Sequence, residues 1–541
     1  MAYVITQNCC KDASCVSACP VDCIRPATSD EPDSTQMFID PETCIDCGAC
    51  VDECPVDAIY SELDLPAELA PFKDINAAYF ERHPLESAFP EPLGPAASVE
   101  PGALRVAIVG AGPSACYAAA ELLAVRGVEV DLFERLPTPF GLIRAGVAPD
   151  HLRTKSVVRL FDQAFADRRF GCHLNVEVGT DLTHADLLAH HHAVIYAVGA
   201  SASRDLGIPG EQLAGHHPAA DFVAWYNGHP DYARHAFDLS TRRAVIVGNG
   251  NVALDVARVL LLGPDRLTRT DIAEHALEAL AHSDIEEVVI LGRRGPRDSA
   301  FSMGEFLALG SLDGIDVLVD DADLSPDPDD SVETALKLQL AAEYRTRTTT
   351  PGNKRIIFRF HVSPAEIVGA DHVEGVRVVH NDVGTNGHPG SSDTTELIET
   401  TLVLRSIGYR GNAVASLPHH ADTGTIPNEH GRVIADDGTP LPGVYVTGWI
   451  KRGPRGVIGT NRSCAEETVA ALLADFDTGA LKRTVSDRDS LLTALADRDI
   501  APVDWPGWRA IDAAERARGT EAQRPRVKFV TIEEMLAVAR G

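Results

Sequence analysis

Nine of the twelve cysteines lie between Cys9 and Cys54, and only Cys116, Cys172 and Cys464 follow. Cys44, Cys47, Cys50 and Cys54 read C-x2-C-x2-C-x3-C-P. Thiolates at that spacing hold iron–sulfur clusters, three cysteines on one cluster and the cysteine before proline reaching across to a second. Zinc also accepts thiolates at C-x2-C spacing, but it requires neither the Cys-Pro pair nor a repeated half. Here the half is repeated, CPVDCI at 19–24 being echoed by CPVDAI at 54–59. In the absence of a secretory leader such clustering points to metal and not to disulfides.

The crossing rule assigns Cys19, Cys44, Cys47 and Cys50 to one [4Fe–4S] cluster, and Cys9, Cys15 and Cys54 to the other. The second set is a ligand short, because the middle position of its run is Asp12. A [3Fe–4S] cluster on three thiolates is the favoured reading. A second [4Fe–4S] cluster, with Asp12 or Cys10 as fourth ligand, is the alternative. Cys23 stands where the echoed half has Ala58, so it reads as a buried thiol outside the ligand set.

Two glycine patterns suit dinucleotides. The apolar run at 105–109 leads into Gly110, Gly112 and Ala115, a G-x-G-x-x-A that lets a phosphate approach a helix N-terminus. Glu134 closes the next strand, where a carboxylate accepts from a ribose hydroxyl; the bland reading is a surface acid. A second G-x-G-x-x-A comprises Gly248, Gly250 and Ala253, with Asn251 inside it. Its next strand ends in Gly292, Arg293 and Arg294 instead of an acid, and two guanidiniums there suit a 2′-phosphate, favouring NADP over NAD. A plain basic surface pair is the competing reading.

These residues must be positioned by several units, since 541 residues exceed one ordinary domain. Apolar runs alternating with amphipathic stretches beyond residue 104 predict α/β units on parallel sheets. The expected architecture is multi-domain: an N-terminal α+β iron–sulfur unit over 1–60, a Pro-rich extended connector over 61–102 with a short helix near Ile75 to Glu81, then an α/β flavoprotein with two Rossmann-like dinucleotide-binding domains. The first of these takes 103–203 and 406–541, the second 204–405. A helix is expected near Ile511 to Arg518, without chemistry.

Acidic residues outnumber basic ones 79 to 48, a net charge of −31, which argues against nucleic acid and for a basic partner. Residues 1–65 hold thirteen acids against Lys11 and Arg25. The sequence has no signal-peptide pattern and no 18-residue apolar run, so no membrane insertion is expected and the cytoplasm is the default location.

From Arg105 to about Thr468 the chain resembles adrenodoxin reductase and the actinobacterial ferredoxin–NADP reductases of that type, through PFGLIRAGVAPDH at 139–151 and GWIKRGPRGVIGT at 448–460. With its bacterial-type ferredoxin unit it is similar to the mycobacterial ferredoxin/ferredoxin–NADP reductase fusions. The resemblance implies FAD at the first glycine turn, with Leu142, Trp449, Gly456 and Ile458 near it, and NADP(H) at the second, contacted by Asn251 and Glu305. It also implies that His151 and Asp255 lie at the nicotinamide end of the cleft, although each has a structural reading: a turn hydrogen bond for His151, a helix-end acid for Asp255.

The expected activity is that of a ferredoxin–NADP(+) reductase fused to its own ferredoxin, in which NADPH reduces FAD and electrons pass singly to iron–sulfur clusters. The internal ferredoxin is either the acceptor or a relay to an external ferredoxin, cytochrome or other redox protein. A flavin disulfide reductase is rejected, because Cys116, Cys172 and Cys464 offer no closely spaced pair. A subunit like the small subunit of glutamate synthase and an iron–sulfur sensor without turnover are the remaining alternatives.

Overall fold

The computed structural model describes residues 2–26, 36–85, 98–320, 324–382 and 390–541. The N-terminal unit is built on the duplication. Strand Tyr3–Ile5 pairs antiparallel with Ile59–Ser61, and Ile24–Pro26 with Met37–Ile39. Short helices Ser14–Ala18 and Ala49–Asp52 follow matching bends. Left-handed backbone recurs at one interval in both halves: Lys11 and Asp46, Ala13 and Gly48, and Asp22 and Asp57 all have φ between 50° and 77°. Such values are uncommon outside glycine, so their pairing means that the two cysteine runs fold alike, with Asp12 in the place of Cys47.

The expected connector is not extended throughout. Residues 86–97, including Pro90, Pro92 and Pro95, lie outside the described residues. Before them, Pro71–Arg82 is a 12-residue helix that begins on proline, whose fixed φ suits a first turn. Its Phe72, Ile75, Tyr79 and Phe80 join the core that holds Phe222, Phe306 and Tyr344 further along the chain. On the same helix the buried Asn76 accepts from the N–H groups of Ile5 (3.3 Å) and Ile39 (2.9 Å) and donates to the Ile5 carbonyl. The helix thus ties the cysteine unit to the rest of the molecule.

Two lobes follow. The first has a seven-stranded sheet in the order Asn428–Glu429, Arg432–Ile434, Pro440–Val446, Ala193–Tyr196, Arg105–Val109, Glu129–Glu134, Phe170–Leu174; the last five strands are parallel. The second has six parallel strands: His216–Pro218, Leu402–Arg405, Arg243–Val247, Glu287–Gly292, Lys354–Phe360, Ile315–Val319. Central strands buried on both faces account for their unbroken apolar runs. The chain leaves the first lobe at Ala202–Ser203 and returns at Tyr409–Arg410, and these two segments pair antiparallel at the crossing.

One feature lies beyond the sequence expectation, and the helix expected near Ile511 to Arg518 proves longer and has a companion. An antiparallel meander, Val362–Val368, Gly375–Asp382 and Gly390–Glu399, packs on the second sheet through Val362, Val376 and Ile398. The C-terminal helices Trp505–Glu521 and Ile532–Arg540 pack on the first lobe through Trp508, Ile511 and Met535. Glu515, fully buried, accepts from Arg144 and Arg526. Lys528 and Lys155 share Asp271, bolting the tail and both lobes together. Among the described residues no helix is long and apolar enough to cross a membrane.

Candidate functional site

The fold sorts the nine N-terminal cysteines into two cavities. One is lined by Cys19, Cys44, Cys47 and Cys50, with Cys23 alongside, its sulfur 3.4 Å from that of Cys19. The other is lined by Cys9, Cys15 and Cys54, with Cys10 and Asp12. Each set combines a run from one half of the duplication with the cysteine before proline of the other. The surroundings differ. Cys47 is exposed, whereas Cys10 is buried in the core of the first lobe.

At the first glycine turn the chain leaves Arg105–Val109 and enters helix Pro113–Ala124. Gly110 has φ +101°, and a β-carbon there would stand 2.6 Å from the Ala197 carbonyl oxygen, so only glycine closes this turn. A β-carbon on Gly112, the residue before the helix, would meet no atom within 4 Å, which leaves its backbone open to a phosphate. Ala115 is fully buried beneath it. The Glu134 carboxylate, at the end of Glu129–Glu134, accepts from the Ala111 and Leu136 N–H groups, both at 3.0 Å, and so braces the turn.

The 448–460 segment closes over this turn. Ser114 Oγ donates to Asn461 Oδ1 at 2.7 Å, and Arg452 Nη2 donates to the same oxygen at 2.9 Å. Trp449 stands 5.7 Å, ring to ring, from Tyr409, Gly456 has φ +86°, and Ile458 packs on the first lobe's core. Leu142 opens the short helix Leu142–Ala145 and is half-exposed. Arg452 also holds two buried nitrogens, Nε and Nη1, with no hydrogen-bond partner among the described residues. Buried donors of this kind are costly unless satisfied. They and the open Gly112 fit a phosphate-bearing dinucleotide in this lobe.

The second turn repeats the design. Gly248 has φ +110°, and its β-carbon would stand 2.2 Å from the Ser406 carbonyl oxygen. Gly250 precedes helix Asn251–Leu261, Ala253 is buried, and Asn251 Oδ1 accepts from the Ser302 N–H at 2.7 Å. Arg293 and Arg294 are both exposed just past Glu287–Gly292; Arg294 lies 3.3 Å from Asp298.

The lobes meet at an ionic cluster. His151 comes from the first lobe, Asp255 from helix Asn251–Leu261 and Glu305 from helix Met303–Leu309, and their ligating atoms all lie within 4.8 Å of one another. At its centre is Arg258, one helical turn after Asp255 and nearly fully buried. Its guanidinium donates to Asp255 (2.7 Å), to both oxygens of Asp150 (2.7 and 3.2 Å) and to His151 Nε2 (2.8 Å), and lies 3.6 Å from Glu305. Burial alone would raise the Asp150 carboxyl, but the Arg258 charge outweighs it and holds the group at about 2. Burial, opposed in part by His151, lifts the Glu305 carboxyl above its ordinary range. A guanidinium already supplies the cation, which disfavours a metal ion among these three ligands. Sequence reasoning missed Arg258; its signal was a lone basic residue three after Asp255 in an otherwise apolar helix.

Two dinucleotide turns joined at this seam, with a cysteine-rich unit packed on both lobes, define a pyridine-nucleotide oxidoreductase carrying its own iron–sulfur domain. Residues 37–60 match the 4Fe-4S binding domain and 105–289 the pyridine nucleotide-disulphide oxidoreductase family. Over its full length the chain is 48% identical to the probable ferredoxin/ferredoxin–NADP reductase of Mycobacterium tuberculosis (strain ATCC 25618 / H37Rv), 95% of which is covered. It is 46% identical to that of Mycobacterium leprae (strain TN), covering 98% of it. The chain belongs to this family of ferredoxin/ferredoxin–NADP reductases. Among solved structures, Mycobacterium tuberculosis FprA in complex with NADPH matches with a TM-score of 0.77 at 44% identity, over 81% of this chain and 100% of that one.

Proposed function

We propose that the chain moves electrons from NADPH to iron–sulfur centres within its own N-terminal unit, and from there to an external redox protein. Residues 103–203 and 406–541 hold FAD, with Gly110, Gly112 and Ala115 at the pyrophosphate, Glu134 at the adenosine end, and Leu142, Trp449, Gly456 and Ile458 around the ring. Residues 204–405 hold NADP(H), with Gly248, Gly250, Asn251 and Ala253 at the pyrophosphate and Arg293 and Arg294 on the 2′-phosphate. Glu305, His151 and Asp255 line the nicotinamide end. When bound, the flavin supplies hydride acceptance and single-electron release, chemistry that no side chain here provides. The protein's part is to orient and to exclude water.

The observation that carries this reading is the hydrogen bond from the Gly459 N–H to the Cys10 carbonyl, 2.7 Å long. It places the Cys9, Cys15 and Cys54 cavity directly on the loop that carries Ile458. That site takes a [3Fe–4S] cluster, and Cys19, Cys44, Cys47 and Cys50 take a [4Fe–4S] cluster. The NADPH complex of FprA supports the nucleotide assignment.

Anaerobic titration of the purified protein with NADPH tests the reading, with flavin followed optically and clusters by electron paramagnetic resonance. Flavin bleaching followed by a reduced-cluster signal is expected. Bleaching with both clusters left oxidised would sink internal transfer. Asp12→Cys tests the iron count: it should convert a three-iron signal to a four-iron one, and an unchanged signal would overturn the three-iron assignment.

A further inference from the structure

Asp12 occupies the place that Cys47 has in the matching half, yet protein donors already hold both its carboxylate oxygens. Oδ1 accepts from the Ser14 N–H at 3.2 Å and from Ser14 Oγ, and Oδ2 accepts from the Tyr117 hydroxyl at 2.7 Å. Tyr117 does not belong to the cysteine unit. It sits on helix Pro113–Ala124 of the first lobe, buried edge-on against Phe161. From helix Thr460–Asp477, Arg462 donates to the Asp12 carbonyl at 3.0 Å and stands 3.9 Å from Oδ1. The adjoining backbone is equally close, because a β-carbon on Gly459 would lie 2.0 Å from the Lys11 carbonyl oxygen.

We propose that Asp12 is a positioning residue: it latches the loop of the three-thiolate site to the first lobe through Tyr117 and Arg462, and ligates no metal. This rests on the reading of that cavity as a cluster site. One departure from the repeat thus does two things, withdrawing a thiolate and supplying an acceptor that two residues of another lobe recognise. A cysteine at position 12 would offer only a weak acceptor and would leave the buried Tyr117 hydroxyl without a good partner.

Tyr117→Phe and Asp12→Ala, each in the full-length holoprotein, separate latch from ligand. The measurements are hydrogen–deuterium exchange across residues 9–16, iron per chain, and the electron paramagnetic resonance signal of the oxidised protein. The latch predicts exchange in this loop raised about tenfold or more in both variants, the effect of losing a buried hydrogen bond to a charged group, with iron content and signal as in the parent. Tyr117→Phe is decisive, because it removes the Tyr117 arm of the latch without touching the cavity's own residues. Unchanged exchange in Tyr117→Phe overturns the proposal, and so does an Asp12→Ala protein whose cluster signal changes while its loop exchange does not. In rapid mixing with NADPH, both variants should bleach flavin at the parent rate and reduce the cluster severalfold more slowly. A parent protein whose flavin NADPH does not bleach would refute the functional reading instead, leaving the exchange result to judge the latch.

Discussion

The backbone N–H of Gly459 donates to the carbonyl of Cys10, and the two residues come from opposite ends of the chain. The contact leaves no room for a side chain, since a β-carbon at 459 meets both the carbonyl oxygen of Lys11 and the amide nitrogen of Asp12 within 2.4 Å. Gly459→Val should therefore lift the cysteine loop off the first lobe. Protease nicking within residues 1–85 is expected to accelerate, and a cleavage rate equal to the parent's would contradict this account of the interface.

Arg258 pairs with Asp150, Asp255 and Glu305 from a nearly sealed position. Arg258→Met keeps the bulk and removes the charge, so it should cost about 3–5 kcal/mol of stability, the usual penalty for stranding buried partners. Urea unfolding measures it. Arg258→Lys should recover part of the loss.

Arg293→Ala and Arg294→Ala should shift nucleotide preference. A charge-assisted hydrogen bond to a phosphate is worth about 1.5–3 kcal/mol, so the ratio of kcat/KM for NADPH to that for NADH should fall by roughly 10- to 100-fold for each. Equal losses with both nucleotides would remove the pair from the 2′-phosphate site.

Gly110→Ala combines a left-handed φ with a β-carbon 2.6 Å from a backbone oxygen. Strain of this kind costs of order 1–3 kcal/mol before any clash. The variant should purify with little flavin, read from its visible absorbance.

Acid should destabilise the protein in a defined window. Asp150 is held at about 2 by Arg258 against the effect of burial, and the Glu515 carboxyl is likewise held below its ordinary range by Arg144 and Arg526 against burial. In the unfolded chain both titrate near about 4. Their stabilisation is thus fully present above that value and is lost as pH falls toward about 2. Melting temperature should be flat between about pH 7 and 5 and drop below about 4, and Asp150→Asn should shallow the drop.

The two glycine turns were legible because their chemistry is local: a strand, a left-handed glycine and a helix start within ten residues. The grouping of the N-terminal cysteines around two cavities was legible because their runs repeat at a fixed spacing. Arg258 was not, since Asp150 and Glu305 arrive from other segments and only the folded chain brings them to the pair it makes with Asp255. The meander of Val362–Val368, Gly375–Asp382 and Gly390–Glu399 also escaped notice, because strands that bury only one face lack the unbroken apolar runs that mark the central ones. Within the connector the helix was legible near Ile75 to Glu81, but Pro66 and Pro71 masked its first turn, although Pro71 is the residue that starts it.

Helix Pro71–Arg82 has one further consequence, which concerns synthesis. Its apolar face is completed by Phe222, Phe306 and Tyr344, residues that leave the ribosome long after it does. Until they arrive, an aromatic-rich segment waits partly uncovered, and contacts of such long sequence separation form slowly. The helix is thus made well before the residues that complete its apolar face, and until then its packing rests on neighbours such as Val4 and Phe38.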